Sequence, residues 1–185
     1  ALPVSAETAE IARVREASST RGISISASGV HYVGDETDAR GLFAFAERHG
    51  RPPGLAVVLA GTNPASEVYV RNKIKTVASA GCRSDLFRLP ESASLEEALT
   101  LVRTLNADEA TDAILVQSPL PAGMGRNAEQ RVFDAIDAAK DVDGFHPLNA
   151  GRLAAGQPGL VPCTPRGVMH ILAESGITLR GARAV

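Results

Sequence analysis

The run Leu-Ala-Val-Val-Leu-Ala at residues 55–60 constrains the fold more than any other stretch of the chain. A strand with one wet face alternates apolar and polar side chains. An unbroken apolar run of strand length, set behind the turn signal Arg-Pro-Pro-Gly, needs cover on both faces. In a chain of 185 residues with 44% hydrophobic content, the natural cover is helices packed on each side of a sheet.

The neighbouring segments supply those helices. The segment that follows reads as a helix with Asn63 as its cap, Pro64 in the first turn, where a missing N–H costs nothing, and Gly81 as its stop. Asp85–Leu89 is a short strand candidate. Ser94 and Glu97 form a capping box ahead of Leu95, Leu99, Val102 and Leu105, which recur at helical spacing. Ala113–Gln117 is a second buried strand, and a helix opening on Asn127 follows it through residue 139. After a long irregular stretch, Thr164 as cap and Pro165 at the first helical position start a last helix that ends at Gly176. Strands taking turns with helices predict a three-layer α/β/α fold with a mostly parallel sheet and right-handed crossovers. Ahead of it, residues 1–50 carry a helix candidate at 5–19, an alternating strand pattern at 23–33 and a helix candidate at 39–50. They offer no functional reading. At the other end, Leu179–Val185 begins what reads as a new strand.

Composition narrows the chemistry. A net charge of −2 gives no broad field for nucleic acid or an anionic membrane, so neither is an expected partner. The longest apolar run has six residues against the roughly 20 that a membrane helix needs, and the first twenty residues carry charges where a signal peptide would be apolar. The expected location is therefore the cytoplasm. Cys82 and Cys163 form no CxxC pair and no disulfide framework. GxGxxG, P-loop, HExxH and GxSxG signatures are all missing, which leaves polar residues at strand ends and helix starts.

Tyr69 and Lys73 stand four apart on the helix that Asn63 caps, beside the apolar strip of Val70, Ile74 and Val77, so they share a face. Alone, that pair could be a solvated face with the lysine stem lying along the ring. Gln117 ends a buried strand, where ligands bind in open parallel sheets, but it could equally cap the turn that follows. Asp141 and Asp143 precede Gly144 in Lys-Asp-Val-Asp-Gly. Such a stretch can be a turn, a metal loop or a carboxylate that recognises N–H donors, and the further oxygen ligands of a calcium loop are absent. Cys163 lies near a helix N-terminus, where a thiolate is favoured, yet it has no histidine at evident spacing. His146, Asn149 and Cys163 read as structural.

Together, PGLAVVLAGTNPASEVYVRNK, ILVQSPLP, KDVDGFHPLNAGRLAAG and LVPCTPRGVM resemble, in order and separation, the motifs of the bifunctional methylenetetrahydrofolate dehydrogenase/methenyltetrahydrofolate cyclohydrolase family. The resemblance runs from about Pro53 to the last residue. It implies NADP-dependent oxidation of 5,10-methylenetetrahydrofolate and hydrolysis of the methenyl product to 10-formyltetrahydrofolate, a one-carbon donor for purine synthesis, in a homodimer. It also implies roles. Tyr69 would stack on the aminobenzoyl ring, Lys73 would reach the one-carbon bridge, Gln117 would hold Lys73, and Asp143 would accept from the pterin. Ser66 and the backbone from Val116 to Ser118 would line the same pocket. Ser118 stands where the family usually has leucine, which should alter one wall of that site. Lys73, Gln117 and Asp143 are the catalytic candidates, and no metal is expected. The domain reading is residues 1–50 as a separate segment, 51–180 as the folate-binding catalytic domain, and 181–185 as the start of a Rossmann-type domain. The NADP-binding residues would lie in that domain, beyond Val185. The alternative reading is an inactive folate-binding or dimerisation module without the cofactor domain, and a member with only one of the two activities is a third.

Overall fold

The structure, a computed structural model, describes residues 23–26, 29–32, 50–79, 82–174 and 180–181. Three parallel strands form its centre: β3 (Gly54–Ala60) lies between β4 (Arg83–Leu89) and β5 (Ala113–Gln117). A separate antiparallel hairpin, β1 (Ile23–Ser26) and β2 (Gly29–Tyr32), precedes them. Helices α1 (Pro64–Ser79), α2 (Leu95–Ala107), α3 (Ala128–Ala135), α4 (Pro147–Ala154) and α5 (Cys163–Glu174), with a short 3-10 turn at Ala122–Met124, complete the described elements. The hairpin lies against α1 through β1 and against α5 through β2.

Leu55–Ala60 are each at most 2% exposed, as their unbroken apolar run requires. The pleat sends alternate residues to opposite faces. Leu55, Val57, Leu59 and Leu115 pack against Val70 and Val77 of α1. Ala56, Val58, Ala60, Ile114 and Val116 pack on the other face, against Ala98, Leu99, Val102 and Leu105 of α2 and Ala128 and Val132 of α3. The three-layer α/β/α arrangement with a parallel sheet is thus present, and each buried valine, leucine or isoleucine side chain contributes about 1.5–3 kcal/mol to it. Because the strands are parallel, Ala60, Leu89 and Gln117 end at the same edge.

Local signals set most boundaries. Asn63 Oδ1 accepts from Ala65 N–H at 2.9 Å and Ser66 N–H at 3.1 Å, capping α1 as expected. Ser94 and Glu97 form the reciprocal capping box on α2.

Five expectations need correction. The pattern at 23–33 reverses on itself: Ile23 pairs with Tyr32 and Ser26 with Gly29, and alternation alone does not reveal where a run turns. β4 begins at Arg83, not Asp85, because Arg83 N–H bonds Pro53 O at 2.8 Å and an edge strand tolerates polar residues. α3 stops at Ala135, not at residue 139. The Asn106 side chain of α2 donates to Ala135 O at 2.7 Å and accepts from Asp137 N–H at 2.9 Å, which satisfies the chain as it leaves the helix; Asn127 flanks the other end without a side-chain cap bond. The irregular stretch contains α4, whose cap is His146 Nδ1, accepting from Leu148 N–H at 3.1 Å with Pro147 at the first position. α5 starts at Cys163, since Arg166 N–H already bonds Pro162 O at 3.3 Å, so Thr164 is inside the helix and Pro165 is third. The helix candidates at 5–19 and 39–50, the glycines at 81 and 176, and the strand candidate at 182–185 lie outside the described residues, Gly50 excepted.

Gly54, the first residue of β3, fits where no side chain can. A Cβ there would lie 2.3 Å from Ala110 O and 2.8 Å from Arg83 Nη2. The carbonyl is backbone and cannot swing aside. Gly54→Ala is expected to destabilise the fold by about 1–3 kcal/mol, read as a lower urea midpoint with unchanged slope.

Candidate functional site

The parallel register brings the carboxyl ends of β3 and β5 beside α1. Gln117 is the last residue of β5 and lies on the α1 side of the sheet, opposite in pleat to Val116. Its Oε1 accepts from Lys73 Nζ at 3.4 Å, a long bond across 44 residues of chain. Its Nε2 donates to Ser118 O at 2.6 Å. The amide is therefore held at both ends.

Lys73 is half-buried, and Tyr69, one turn earlier, is 64% exposed. The ring and the ammonium stand beside the buried strip of Val70 and Val77, as the spacing predicts. Ser66, seven residues before Lys73 and so under the same side of the helix, is buried. Val116 sends its side chain to the α2 and α3 face, so only its backbone is available on the α1 side. The Ser118 hydroxyl donates to Glu129 Oε1 at 2.7 Å, which turns it away from Lys73 toward α3.

The Lys-Asp-Val-Asp-Gly stretch runs beside β5 through a parallel bridge between Ile114 and Asp141, with Ile114 N–H bonding Lys140 O at 2.8 Å. The structure separates its two carboxylates. Asp141 is 1% exposed and accepts from His146 N–H at 2.8 Å and Asn149 Nδ2 at 2.9 Å. Asp143 is half-buried and receives no hydrogen bond from any described residue. Burial pushes the Asp143 carboxyl above the usual aspartate range; Lys73 pulls it partly back, and Asp141 adds a smaller push upward. Gly144 then turns the chain with φ +68°, and a Cβ there would meet Pro162 at 2.9 Å. The Cys163 thiol donates to Val142 O at 3.9 Å, so its visible role is to tie this loop to α5.

Tyr69, Lys73, Gln117 and Asp143 thus come from three separate segments. An exposed ring, an ammonium held by an amide and a desolvated carboxylate suit a flat ligand carrying both N–H donors and an electrophilic centre. Two concavities, of about 420 Å³ beside α3 and about 720 Å³ at the amino ends of β3 and β5, contain none of these four residues. The sequence reading missed Glu129 and the Asp141–Asn149–His146 cluster. His-Pro ahead of a helix was a legible signal for the cluster, whereas nothing in sequence links Glu129 to Ser118. Among the described residues, no group of three or more His, Cys, Asp or Glu side chains could hold a metal ion.

Residues 33–143 match the family described as tetrahydrofolate dehydrogenase/cyclohydrolase, catalytic domain. The match starts ahead of Pro53 and ends on Asp143. The bifunctional protein FolD of Acidiphilium cryptum is 61% identical over 133 residues, covering 72% of this chain and 47% of that protein. Its counterpart from Sorangium cellulosum is 52% identical over 146 residues, 78% of this chain and 50% of the relative. Among solved structures, the bifunctional FolD methylenetetrahydrofolate dehydrogenase/cyclohydrolase of Campylobacter jejuni superposes with a TM-score of 0.67 at 39% identity, over 76% of this chain and 49% of that one. The Trypanosoma brucei enzyme, complexed with NADP cofactor and inhibitor, gives 0.67 at 33% identity, over 75% and 47%. The chain spans about half the length of the relatives it matches. With a family match that takes in β3, α1, β5 and the aspartate loop, the chain belongs to the tetrahydrofolate dehydrogenase/cyclohydrolase family.

Proposed function

We propose that this chain carries the folate-binding catalytic part of an enzyme that oxidises 5,10-methylenetetrahydrofolate with NADP and hydrolyses the methenyl product to 10-formyltetrahydrofolate. The observation that carries this reading is the Lys73–Gln117 bond together with a desolvated Asp143 that has no hydrogen-bond donor among the described residues. Residues 51–180 are the folate-binding catalytic domain in this reading. By the same family reading the protein works in the cytoplasm as a homodimer, and its product feeds purine synthesis.

Each residue has a chemical task. Tyr69, exposed on α1, offers a face on which the aminobenzoyl ring stacks. Asp143 accepts from the pterin N–H groups, and those bonds replace the water it has lost. Ser66 and the Val116–Ser118 backbone line the cleft. Hydrolysis adds water to the methenyl carbon and breaks its bond to N5: the water loses one proton as it adds and the second as the formyl carbonyl forms, N5 takes up one, and the other is released to solvent. Lys73 Nζ moves these protons, with Gln117 Oε1 aiming it.

NADP supplies the hydride acceptor for the oxidation. The described residues do not fit its pyrophosphate. At the turn from β3 into α1 the first N–H groups are already taken by Asn63 Oδ1, and at the turn from β4 into α2 the Ser94–Glu97 capping box puts a carboxylate where an anion would lie.

In the intact protein, Lys73→Met keeps much of the stem's bulk and removes the proton carrier. Methenyl hydrolysis is expected to fall at least about 100-fold while the circular dichroism spectrum is retained, the lower range for loss of a general acid–base group. Hydrolysis within a few-fold of the unsubstituted rate would end the proton-transfer role.

Asp143→Ala is expected to weaken tetrahydrofolate binding by about 1.5–3 kcal/mol, measured by calorimetry. Stability should move the other way. Below the ordinary aspartate value of about 3.9, Asp143 is protonated in both folded and unfolded chains and costs nothing. As pH rises through its elevated folded value, the folded state must carry a desolvated charge, and stability is lost. Asp143→Asn should therefore melt higher than the unsubstituted protein at pH 7, with the difference closing below about pH 4. A lower melting point at pH 7 would mean that Asp143 is a structural acceptor.

A further inference from the structure

A chain of hydrogen bonds runs to Lys73 from a carboxylate on the other face of the sheet. Glu129, on α3, accepts at a single oxygen from the Ser118 hydroxyl at 2.7 Å and from Leu120 N–H at 3.0 Å, so Oε1 grips the chain on both sides of Pro119. The carbonyl of Ser118 accepts from Gln117 Nε2 at 2.6 Å, and Gln117 Oε1 accepts from Lys73 Nζ at 3.4 Å. The bonds on the Glu129 side are short and the one to Lys73 is long. The short ones hold the amide, and the amide aims the lysine. A flipped Gln117 would set its NH₂ against the ammonium and its oxygen against the Ser118 carbonyl, two repulsive contacts.

We propose that Glu129 is a positioning residue for Lys73, acting through Ser118 and Gln117. The inference deepens the reading of Lys73 as the proton carrier and rests on it. Glu129 is half-buried and Ser118 is exposed, so the link sits at the protein surface and can be cut without opening the core. The Ser118 hydroxyl is spent on Glu129, which makes the side chain a spacer between α3 and the amide. Only its backbone faces the ligand.

The test uses the intact protein with Ser118→Ala, Ser118→Thr and Glu129→Ala, and reads kcat and KM for hydrolysis of 5,10-methenyltetrahydrofolate together with the side-chain amide NMR resonances of Gln117 without ligand. Ser118→Ala and Glu129→Ala are expected to lower kcat about 3- to 10-fold, the range for one net hydrogen bond, with KM within about twofold. Ser118→Thr, which keeps the hydroxyl, should restore kcat. Both alanine variants should move the Gln117 resonances. A raised KM with unchanged kcat in Ser118→Ala would overturn the proposal, because it would put the hydroxyl on the substrate. Unmoved Gln117 resonances would overturn it independently of any activity. Absence of hydrolysis in the unsubstituted protein would instead sink the folate reading, and the resonances would still decide the Glu129 link.

Discussion

Everything else in this structure depends on the double-sided burial of β3. Leu55–Ala60 leave no face for water, so α1 must lie on one side and α2 and α3 on the other. Returning the chain from one strand to the next across those helices makes the strands parallel, and parallel strands put all their carboxyl ends at one edge. There Gln117 and Ser118 stand within reach of both helical layers. Gln117 touches α1 through Lys73, and Ser118 touches α3 through Glu129. A hydrophobic constraint at the centre has thereby become a polar arrangement at the edge.

The opposite edge illustrates what the constraint leaves for stability. Asp112 there accepts from Gly54 N–H at 2.8 Å and pairs with Arg51 at 2.6 Å, and Lys140 donates to the carbonyls of Leu105, Asn106 and Asp108 at the end of α2. These groups fasten strand starts to a helix terminus, where a cation meets the negative end of the helix dipole. Charged side chains at this edge bind backbone groups and one another. At the carboxyl edge, Lys73 is held by Gln117 Oε1, and Asp143 receives no hydrogen bond from any described residue. The two edges share a fold and differ in what their polar groups have been given to bind.

The sequence was most legible where a signal was local and chemical. The Ser94–Glu97 box, the Asn63 cap and the apolar runs of β3 and β5 all stand as read, because each is settled within a few residues. It was least legible where a distant side chain decided the outcome. Asn106 ends α3 from 29 residues away, and Glu129 fixes Ser118 from eleven. The site residues fall between. Lys73 and Gln117 could be named from their places on a helix and at a strand end, and the family resemblance implied that they meet, but spacing alone did not; the sheet register is what brings them together. Val116 and Ser118 belonged to the same word, yet the pleat turns the Val116 side chain, and Glu129 the Ser118 hydroxyl, to the other layer.

The aspartate loop shows why identical residues two positions apart cannot be told apart by type. Asp141 is fully buried and satisfied by a backbone N–H and an amide, and Asn149 holds it while also donating to Ala138 O at 2.8 Å. A buried carboxylate with two such partners is an anchor, and removing it would leave both donors unmet. Among the described residues Asn149 Oδ1 is itself buried without a partner, so the cluster accepts one unsatisfied atom in order to keep Asp141 fixed. That rigidity has a use next door. With Asp141 pinned to α4, Val142 packed in the α1-side core and Gly144 held in a left-handed turn against Pro162, the chain between them has few ways to let the Asp143 carboxylate relax toward water. Asp143 thus stays desolvated because its neighbours are satisfied and none of the described residues donates to it; in the folate reading proposed above, the pterin N–H groups would fill that place.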